Sequence, residues 1–251
     1  MEWARLASTD IESINRNIPV ILPVTALEQH GPHLPVSTDQ LIGEYFCREL
    51  DRRIPDRALI LPAVVITNSR HHMGFPGTLT VTHATFIRYV SEILEAVIAN
   101  GFSTIVMFNS HGGNQAAAQV ILEDMGVSHP GCRVALLTWW KVAHEQLMAI
   151  SETGPGGVGH ACEFETSLLQ LIAPELVHTD RIAPGKNRPT YAWAESDMMR
   201  GSSGLLHRSI QEMTPNGVFG DPTAATREKG ARIAAVVVEA LERIVNDLGE
   251  S

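Results

Sequence analysis

The sequence predicts an α/β fold with three layers, in which helices cover both faces of a mostly parallel central sheet. Short apolar runs alternate with longer amphipathic stretches along the 251 residues, and polar clusters follow several of these runs. Neighbouring parallel strands need a crossover connection, usually a helix, so this alternation favours a parallel sheet. The length suffices for one large domain with a full core, and residues 1–251 are predicted to form a single domain.

Each element is predicted from its own pattern of apolar residues. Apolar runs predict strands at residues 19–24, 59–66, 103–108 and 133–139, and helical periodicity predicts helices at 39–52, 82–100, 116–125, 163–172 and 224–248. In the second helix Phe86, Val90 and Leu94 share one face, and Asn100-Gly101 provides a stop signal. Residues 183–220 are rich in Pro, Gly, Ser and Asn, which predicts a long loop near the mouth of a site or at a subunit contact.

Composition narrows the class of function. The chain is 44% hydrophobic with no run of about 18 apolar residues, so no membrane role is expected. Its net charge of −9 argues against nucleic-acid binding and favours a small-molecule partner. The amino terminus lacks a secretory pattern, and Cys47, Cys132 and Cys162 suggest no disulfide framework, so a cytoplasmic location is expected.

The strongest functional signal is the segment Glu28-Gln-His30-Gly-Pro-His33-Leu-Pro-Val-Ser-Thr-Asp39, directly after the first strand. Glu28 and His30 are two residues apart, so in extended backbone their side chains point to the same side. Asp39 begins the next helix and can bridge two ions. Carboxylate and imidazole ligands together suit Zn, Mn or Fe. The alternative is that Asp39 only caps the helix and that Glu28 and His30 are solvated.

Polar segments also follow the second and third strands. Asn109-Ser-His111-Gly-Gly turns tightly and projects one imidazole, which makes His111 a candidate ligand, although glycine pairs are common in such loops. After the second strand come the adjacent His71 and His72. Neighbouring side chains in an extended chain point to opposite sides, so we expect at most one to face the site, namely His72, as a contact to substrate or to a ligand.

The segment His160-Ala-Cys162-Glu163-Phe-Glu165 opens a predicted helix. One glutamate in the first turn can be an ordinary capping acid, but this does not explain both glutamates together with His160. His160 is a candidate proton shuttle near neutral pH. Cys162 could be a thiolate ligand or a nucleophile, but a packed, buried thiol is favoured.

Taken together, these motifs resemble those of the creatininase (creatinine amidohydrolase) family and occur in the same order. The resemblance is carried by the segment from Glu28 to Asp39, Phe75-Pro-Gly-Thr78, Asn109-Ser-His-Gly-Gly-Asn114, His160-Ala-Cys-Glu-Phe-Glu-Thr-Ser167 and Gly217-Val-Phe-Gly-Asp-Pro-Thr223. It extends from about residue 15 to the last helix.

The resemblance implies a homo-oligomer, often a hexamer, with two divalent metal ions. The ions would be Zn or Mn, with Fe as a further option. They would activate a water that hydrolyses a non-peptide C–N bond of a small amide, such as a cyclic amide or a formamide. By position, Glu28 and His111 would hold one metal and His30 the other, with Asp39 between them. His160 matches the catalytic histidine, and Trp140 matches a tryptophan that closes over substrate, although a half-buried aromatic at a strand end is an equally good interpretation.

One position departs from the family pattern. Members that hydrolyse creatinine carry a glutamate ligand two residues after the histidine that matches His111, where this chain has Gly113. Glu163 is therefore predicted to complete the second metal site. Glu165 and His33 are expected to support the ligands or to serve as alternates. Two other functions remain open: a hydrolase or isomerase of a sugar-derived cyclic ketone, and a metal-binding protein without turnover.

Overall fold

A computed structural model describes residues 1–250 and has a parallel sheet at its centre. The strands are β1 (Val20–Val24), β2 (Leu59–Ile60), β3 (Thr104–Asn109) and β4 (Arg133–Thr138), in the order β2-β1-β3-β4. The helices are α1 (Ser8–Ser13), α2 (Thr38–Arg53), α3 (His83–Ala99), α4 (Gln115–Ser128), α5 (Trp139–Val142), α6 (His144–Ile150), α7 (Glu163–Ile172), α8 (Ile210–Met213) and α9 (Arg227–Glu250). Each pair of neighbouring strands is parallel.

Helices cover both faces of this sheet, which confirms the predicted three-layer α/β class. Helices α2, α7 and α9 pack on one face with α5 and α6, while α3 and α4 pack together on the other. The two central strands are buried on both faces, because successive side chains enter opposite cores. In β3, Val106 and Phe108 lie in the core under α2 and α7, while Ile105 and Met107 lie in the core under α3.

Most predicted elements are confirmed with shifts of a few residues at their ends, but the second strand is much shorter than predicted. The run at 59–66 forms a strand only at Leu59–Ile60, followed by a single bridge between Val24 and Val64. Pro62 lies within this run and has no N–H to donate, which disfavours a continuous ladder.

The register of the sheet brings three strand ends to one level. Val24 is paired with Asn109, and Asn109 is paired with Thr138. The loops after β1, β3 and β4 therefore leave the same edge of the sheet, where ligands of parallel α/β proteins bind. Residues 183–220 contain only short helical turns, and part of this segment forms a wall of the cavity at that edge. Within residues 1–250 no helix has the length and apolar character needed to span a membrane.

Candidate metal centre

A buried cluster of carboxylates and imidazoles lies at the carboxyl edge of the sheet. The members of this histidine–carboxylate cluster are Glu28, His30, Asp39, His71, His72, His111, His160 and Glu165. Glu28 and His30 follow β1, Asp39 lies in the first turn of α2, and His111 follows β3. Residues far apart in sequence thus meet because their strands end at one level.

Asp39 lies between two histidines and presents one oxygen to each. Its Oδ1 is 3.3 Å from His30 Nε2, and its Oδ2 is 3.2 Å from His111 Nδ1. The residue is 2% exposed, and the structure records no side-chain cap at the start of α2. This geometry removes the alternative in which Asp39 is only a helix cap.

Glu28 stands beside three of the imidazoles. Its Oε2 is 3.2 Å from His111 Nδ1, and its Oε1 is 3.3 Å from His72 Nε2 and 3.5 Å from His160 Nδ1. Glu28 and His30 are each 1% exposed. The sequence also allowed Glu28 and His30 to be solvated loop residues, and their burial excludes this interpretation.

Main-chain carbonyls fix the rings of three histidines. His30 Nδ1 donates to the carbonyl of Glu28 (3.0 Å), His111 Nε2 to that of Asn68 (3.0 Å) and His160 Nε2 to that of Gln29 (2.6 Å). Carbonyls only accept, so in each neutral ring the other nitrogen faces the cluster with a free lone pair. Metal-binding histidines are commonly oriented in this way.

Buried polar atoms without a hydrogen-bond partner show that the cluster suits cations. Glu28 Oε2, His30 Nε2 and Asp39 Oδ2 are all buried and unpartnered. Leaving such atoms unpaired is costly, and coordination to a divalent cation would satisfy all three. Carboxylates mixed with imidazoles form a donor set that suits Zn or Mn. The residues present therefore fit divalent metal ions.

The electrostatics of the cluster agree with this fit. Burial alone would lower the pKa of His111, but the carboxylates of Glu28 and Asp39 outweigh it and raise the pKa to about 10. Asp39 and Glu165 likewise raise the pKa of His30 against the effect of burial. The negative potential that draws protons to these rings also attracts cations.

Glu163, predicted to complete the second metal site, lies elsewhere, so this assignment is corrected. Its buried carboxylate contacts Lys229 Nζ (2.5 Å) and accepts hydrogen bonds from the hydroxyl of Thr153 (2.5 Å) and the main chain of Glu152 (3.0 Å). Burial alone would raise the pKa of Glu163, but Lys229 and Thr153 lower it. Glu163 and Glu165 are about 200° apart around a helix, so only one of them can face the cluster.

Glu165 is the glutamate of α7 that faces the cluster. Its Oε1 lies 3.8 Å from His30 Nε2, while its Oε2 accepts a hydrogen bond from the main chain of Ala161 (2.6 Å). Ala161 has a φ of 53°, a left-handed conformation that is uncommon outside glycine. The strained turn between His160 and α7 thus orients one oxygen of Glu165 and leaves the other for a ligand.

Three further predicted residues lie around the cluster. His33 is buried, and its Nε2 lies 2.9 Å from Oγ1 of Thr166 in α7. It does not belong to the groups of residues that could hold an ion. Trp140 is 3% exposed and lines the cavity. Cys162 is fully buried, and burial raises the pKa of its thiol, so it is a packed thiol as favoured from the sequence.

Both adjacent histidines line the cavity, contrary to the expectation that at most one would. His72 contacts Glu28, while the ring of His71 stacks on that of His111 with centroids 5.7 Å apart. The cause is local: Arg70–His72 is a turn of 3-10 helix, so successive side chains do not alternate as they do in a strand. Nothing in the local sequence signals this turn.

Gly113 lies against His111. A Cβ at this position would be 2.4 Å from His111 Nε2 and 2.6 Å from the carbonyl oxygen of Asn68. Since His111 donates to that carbonyl, a side chain here would disturb the contact that orients the ring. Sequence analysis did not identify Asn68 as part of the site.

The cluster forms one wall of a cavity of about 760 Å³. Glu28, Asp39, His111, His160 and Glu165 are all reached from it. Residues 196–202 also line this cavity. A pocket of this size can hold a ligand considerably larger than a small ring amide.

The fold and cluster define a hydrolase-type α/β protein with a buried histidine–carboxylate centre. A family model described as creatinine amidohydrolase (Creatininase) matches residues 4–245. The chain therefore belongs to the creatininase family.

Similar proteins in this family carry different names. The chain is 32% identical over 247 residues to a mycofactocin precursor peptide peptidase of Mycolicibacterium smegmatis, covering 93% of this chain and 87% of the relative. It is 28% identical to a creatinine amidohydrolase of Pseudomonas putida, covering 91% and 88%. It is also 24% identical to a 3-dehydro-scyllo-inosose hydrolase of Thermotoga maritima, covering 92% and 78%.

Solved creatininases share the fold. Two structures, one of a Zn–Zn type and one with Mn, each align with a TM-score of 0.79 at 24% identity and cover 98% of this chain and 97% of theirs. This likeness agrees with the three-layer architecture described above.

Proposed function

We propose that this protein is a metal-dependent hydrolase that cleaves the C–N bond of an amide in a small molecule. The observation that carries this proposal is the position of Asp39, whose two oxygens face His30 and His111 at 3.3 and 3.2 Å. A carboxylate in this position suits two neighbouring ions. Glu28, Asp39 and His111 would hold one ion, and His30, Asp39 and Glu165 the other.

The metals proposed are Zn or Mn, in keeping with the donor set and with the solved relatives. When bound, such ions supply Lewis-acid chemistry, lowering the pKa of water and polarising the amide carbonyl. The protein contributes a ligand set that is oriented in advance, because main-chain groups hold the buried rings of His30 and His111.

His160 is the proposed proton shuttle. Its Nε2 proton is held by the carbonyl of Gln29, so Nδ1 faces the cavity with a lone pair, 3.5 Å from Glu28 Oε1. Burial, together with the charge of His30, holds the pKa of His160 well below its ordinary value, so the ring is neutral and Nδ1 carries no proton. Nδ1 would take a proton from the attacking water and pass it to the departing nitrogen.

His72 orients Glu28. Gly31 N–H donates to Gln29 Oε1 (3.0 Å), which turns the Gln29 amide nitrogen toward His72 Nδ1 (3.0 Å). Since Nδ1 accepts this hydrogen bond, the proton of neutral His72 is on Nε2 and is directed at Glu28 Oε1, 3.3 Å away. We therefore propose that His72 positions the carboxylate of Glu28 through this nearby N–H.

The bond cleaved is proposed to be a non-peptide amide, with a peptide bond as the second candidate. Two observations support the peptide bond as this second candidate. A 32% identical relative is named as a peptide peptidase, and the cavity has a volume of about 760 Å³. In both candidates the carbonyl carbon of an amide would lie at the histidine–carboxylate cluster.

The test is a substrate panel with the Zn- or Mn-loaded protein in H₂¹⁸O. The panel contains creatinine, lactams, formamides, short peptides and a cyclic inosose. Hydrolysis of an amide should place one ¹⁸O in the acid product and should stop on chelation and return with metal. Reaction of the cyclic ketone alone, or a product without ¹⁸O, would contradict the proposal and support the hydrolase or isomerase of a sugar-derived ketone. No product from any compound would favour a metal-binding protein without turnover.

A further inference from the structure

A second cavity of about 360 Å³ adjoins the catalytic cavity. The two share lining residues, namely Ser196, Arg200, Met213 and Phe219. A molecule whose amide lies at the histidine–carboxylate cluster could therefore extend into this second space. The second cavity is formed mainly by the segment 187–213, which connects no strands of the sheet.

The second cavity is lined by three arginines, Arg188, Arg200 and Arg208, and by one carboxylate, Glu195. In the described part of the chain, no ion pair within 4.0 Å is recorded for any of these arginines. This local excess of positive charge stands out because the whole chain carries a net charge of −9.

Two carboxylates that are adjacent in sequence to lining residues, those of Asp197 and Glu212, accept hydrogen bonds from other groups. Asp197 accepts hydrogen bonds from three main-chain amides, those of Gly156 (2.6 Å), Met199 (2.9 Å) and Arg200 (2.7 Å). Glu212 accepts from the main chain and the hydroxyl of Ser209, at 2.7 and 2.8 Å. These acids stabilise the loop. Within residues 1–250, neither forms an ion pair within 4.0 Å with Arg188, Arg200 or Arg208. The hydrogen bonds from Ser209 lower the pKa of Glu212, and the charge of Arg208 contributes to this shift.

Neutral groups position one of the arginines. Arg208 is half-buried as a residue, and its guanidinium donates to the carbonyls of Arg188 (3.2 Å) and Glu212 (3.0 Å) in exposed hydrogen bonds. These contacts fix Arg208 without cancelling its charge. The side chains of Arg188 and Arg200 are exposed to solvent in the cavity.

We propose that the arginine cavity, lined by Arg188, Arg200 and Arg208, binds an oxyanion of the substrate. Guanidinium groups match carboxylates and phosphates, because they offer paired N–H donors together with a permanent charge. The inference rests on the proposed function and deepens it: the substrate is an extended amide with a carboxylate or phosphate remote from the bond that is cleaved. A neutral ring amide would leave the arginine cavity empty.

The test is calorimetric titration of the full-length, metal-loaded protein with inorganic phosphate and, separately, with acetate. The variants are R188M and R200M, and the matched control is R181M, whose exposed arginine precedes the segment 187–213, lies outside both cavities and pairs with Asp180 at 4.0 Å. At least one anion should bind the wild type and R181M, and R188M and R200M should weaken that binding about tenfold or more. Tighter phosphate binding would indicate a phosphate ester, and tighter acetate binding a carboxylate.

Arg188 lines only the second cavity, so an anion that binds the metals would do so equally in the wild type, R181M and R188M, and weaker binding to R188M reports on the arginine cavity. Equal affinities in the four proteins, or no binding of either anion, would overturn the inference. Binding requires no turnover, so arginine-dependent binding without hydrolysis of any amide would reject the proposed reaction but retain the anion site. Thermal melting of each variant checks that it is folded.

Discussion

Replacing Glu163 and Glu165 by glutamine, one at a time, separates a structural carboxylate from a proposed metal ligand. The two side chains lie in the same turn of α7 and are both nearly fully buried, at 0% and 3% exposure. The substitution is the same in size and charge at both positions. Each variant is therefore the matched control of the other.

Glu163→Gln should destabilise the protein without changing its metal content. The substitution leaves the ammonium of Lys229, itself 3% exposed, without its buried counter-charge, although Glu152 (3.1 Å) and the carbonyl of Ala224 (2.6 Å) remain. Breaking a buried ion pair costs about 3–5 kcal/mol, and with these remaining partners the expected loss of stability is about 3 kcal/mol. For a chain of this size that is a fall in Tm of about 6–12 °C.

The loss of stability in Glu163→Gln should depend on pH. Since the folded state lowers the pKa of Glu163 from its ordinary value of 4.5, the stabilisation is fully present above pH 4.5 and is lost as the pH falls through the folded pKa. The difference in Tm between wild type and Glu163→Gln should therefore shrink in acid. Thermal melts at a series of pH values measure it.

Glu165→Gln should give the opposite result. The glutamine oxygen can still accept the hydrogen bond from Ala161, so the metal-free protein should lose less than about 1 kcal/mol. Loss of the carboxylate beside His30 should reduce the metal content from two ions to about one. Loss of a metal from Glu163→Gln at wild-type stability would contradict the structural role of Glu163. Tight retention of both ions by Glu165→Gln would contradict the ligand role of Glu165.

Three further perturbations test other parts of the site. His160→Ala should retain two metals and lose about 10²-fold or more in turnover, measured on an amide identified from the panel; unchanged turnover would remove the shuttle role. Gly113→Ala should displace His111 or the Asn68 carbonyl. It should lower the affinity for the ion held by Glu28, Asp39 and His111 about 10–100-fold, measured in competition with a chelator. Wild-type affinity would mean that the turn accommodates the methyl group without moving His111. Chelation of the wild type should lower its stability by about 2.7 kcal/mol relative to protein with free metal at 100 times its Kd, and an unchanged melt would argue against metals in the cluster.

The sheet and most helices could be predicted from the sequence because their patterns are local. Strand β3 is a continuous apolar run, and α3 has a single apolar face with clear end signals. The second strand was overestimated because its apolar composition resembles a strand, while Pro62 and the end of pairing at Ile60 limit it to two residues.

The candidate site was predictable where adjacent sequence fixes geometry. Glu28, His30 and Asp39 follow one strand, and their type and spacing indicate ligands before any contact is known. The choice between Glu163 and Glu165 was not local. It depends on Lys229, 66 residues away in sequence, which pairs with one glutamate and leaves the other for the cluster.

His71 and Asn68 show a second limit. The side chain of His71 reaches the cavity because residues 70–72 form a helical turn, and Asn68 acts through its main-chain carbonyl. Any residue other than proline offers the same carbonyl and N–H, so side-chain chemistry carries no signal for such a role.

The most direct test is a crystal structure of the protein loaded with Zn or Mn, with anomalous scattering recorded at the metal absorption edge. Two anomalous peaks are expected, one contacted by Glu28, Asp39 and His111 and the other by His30, Asp39 and Glu165, with Asp39 between them. A single peak, or a second metal held without Asp39 and Glu165, would contradict the account.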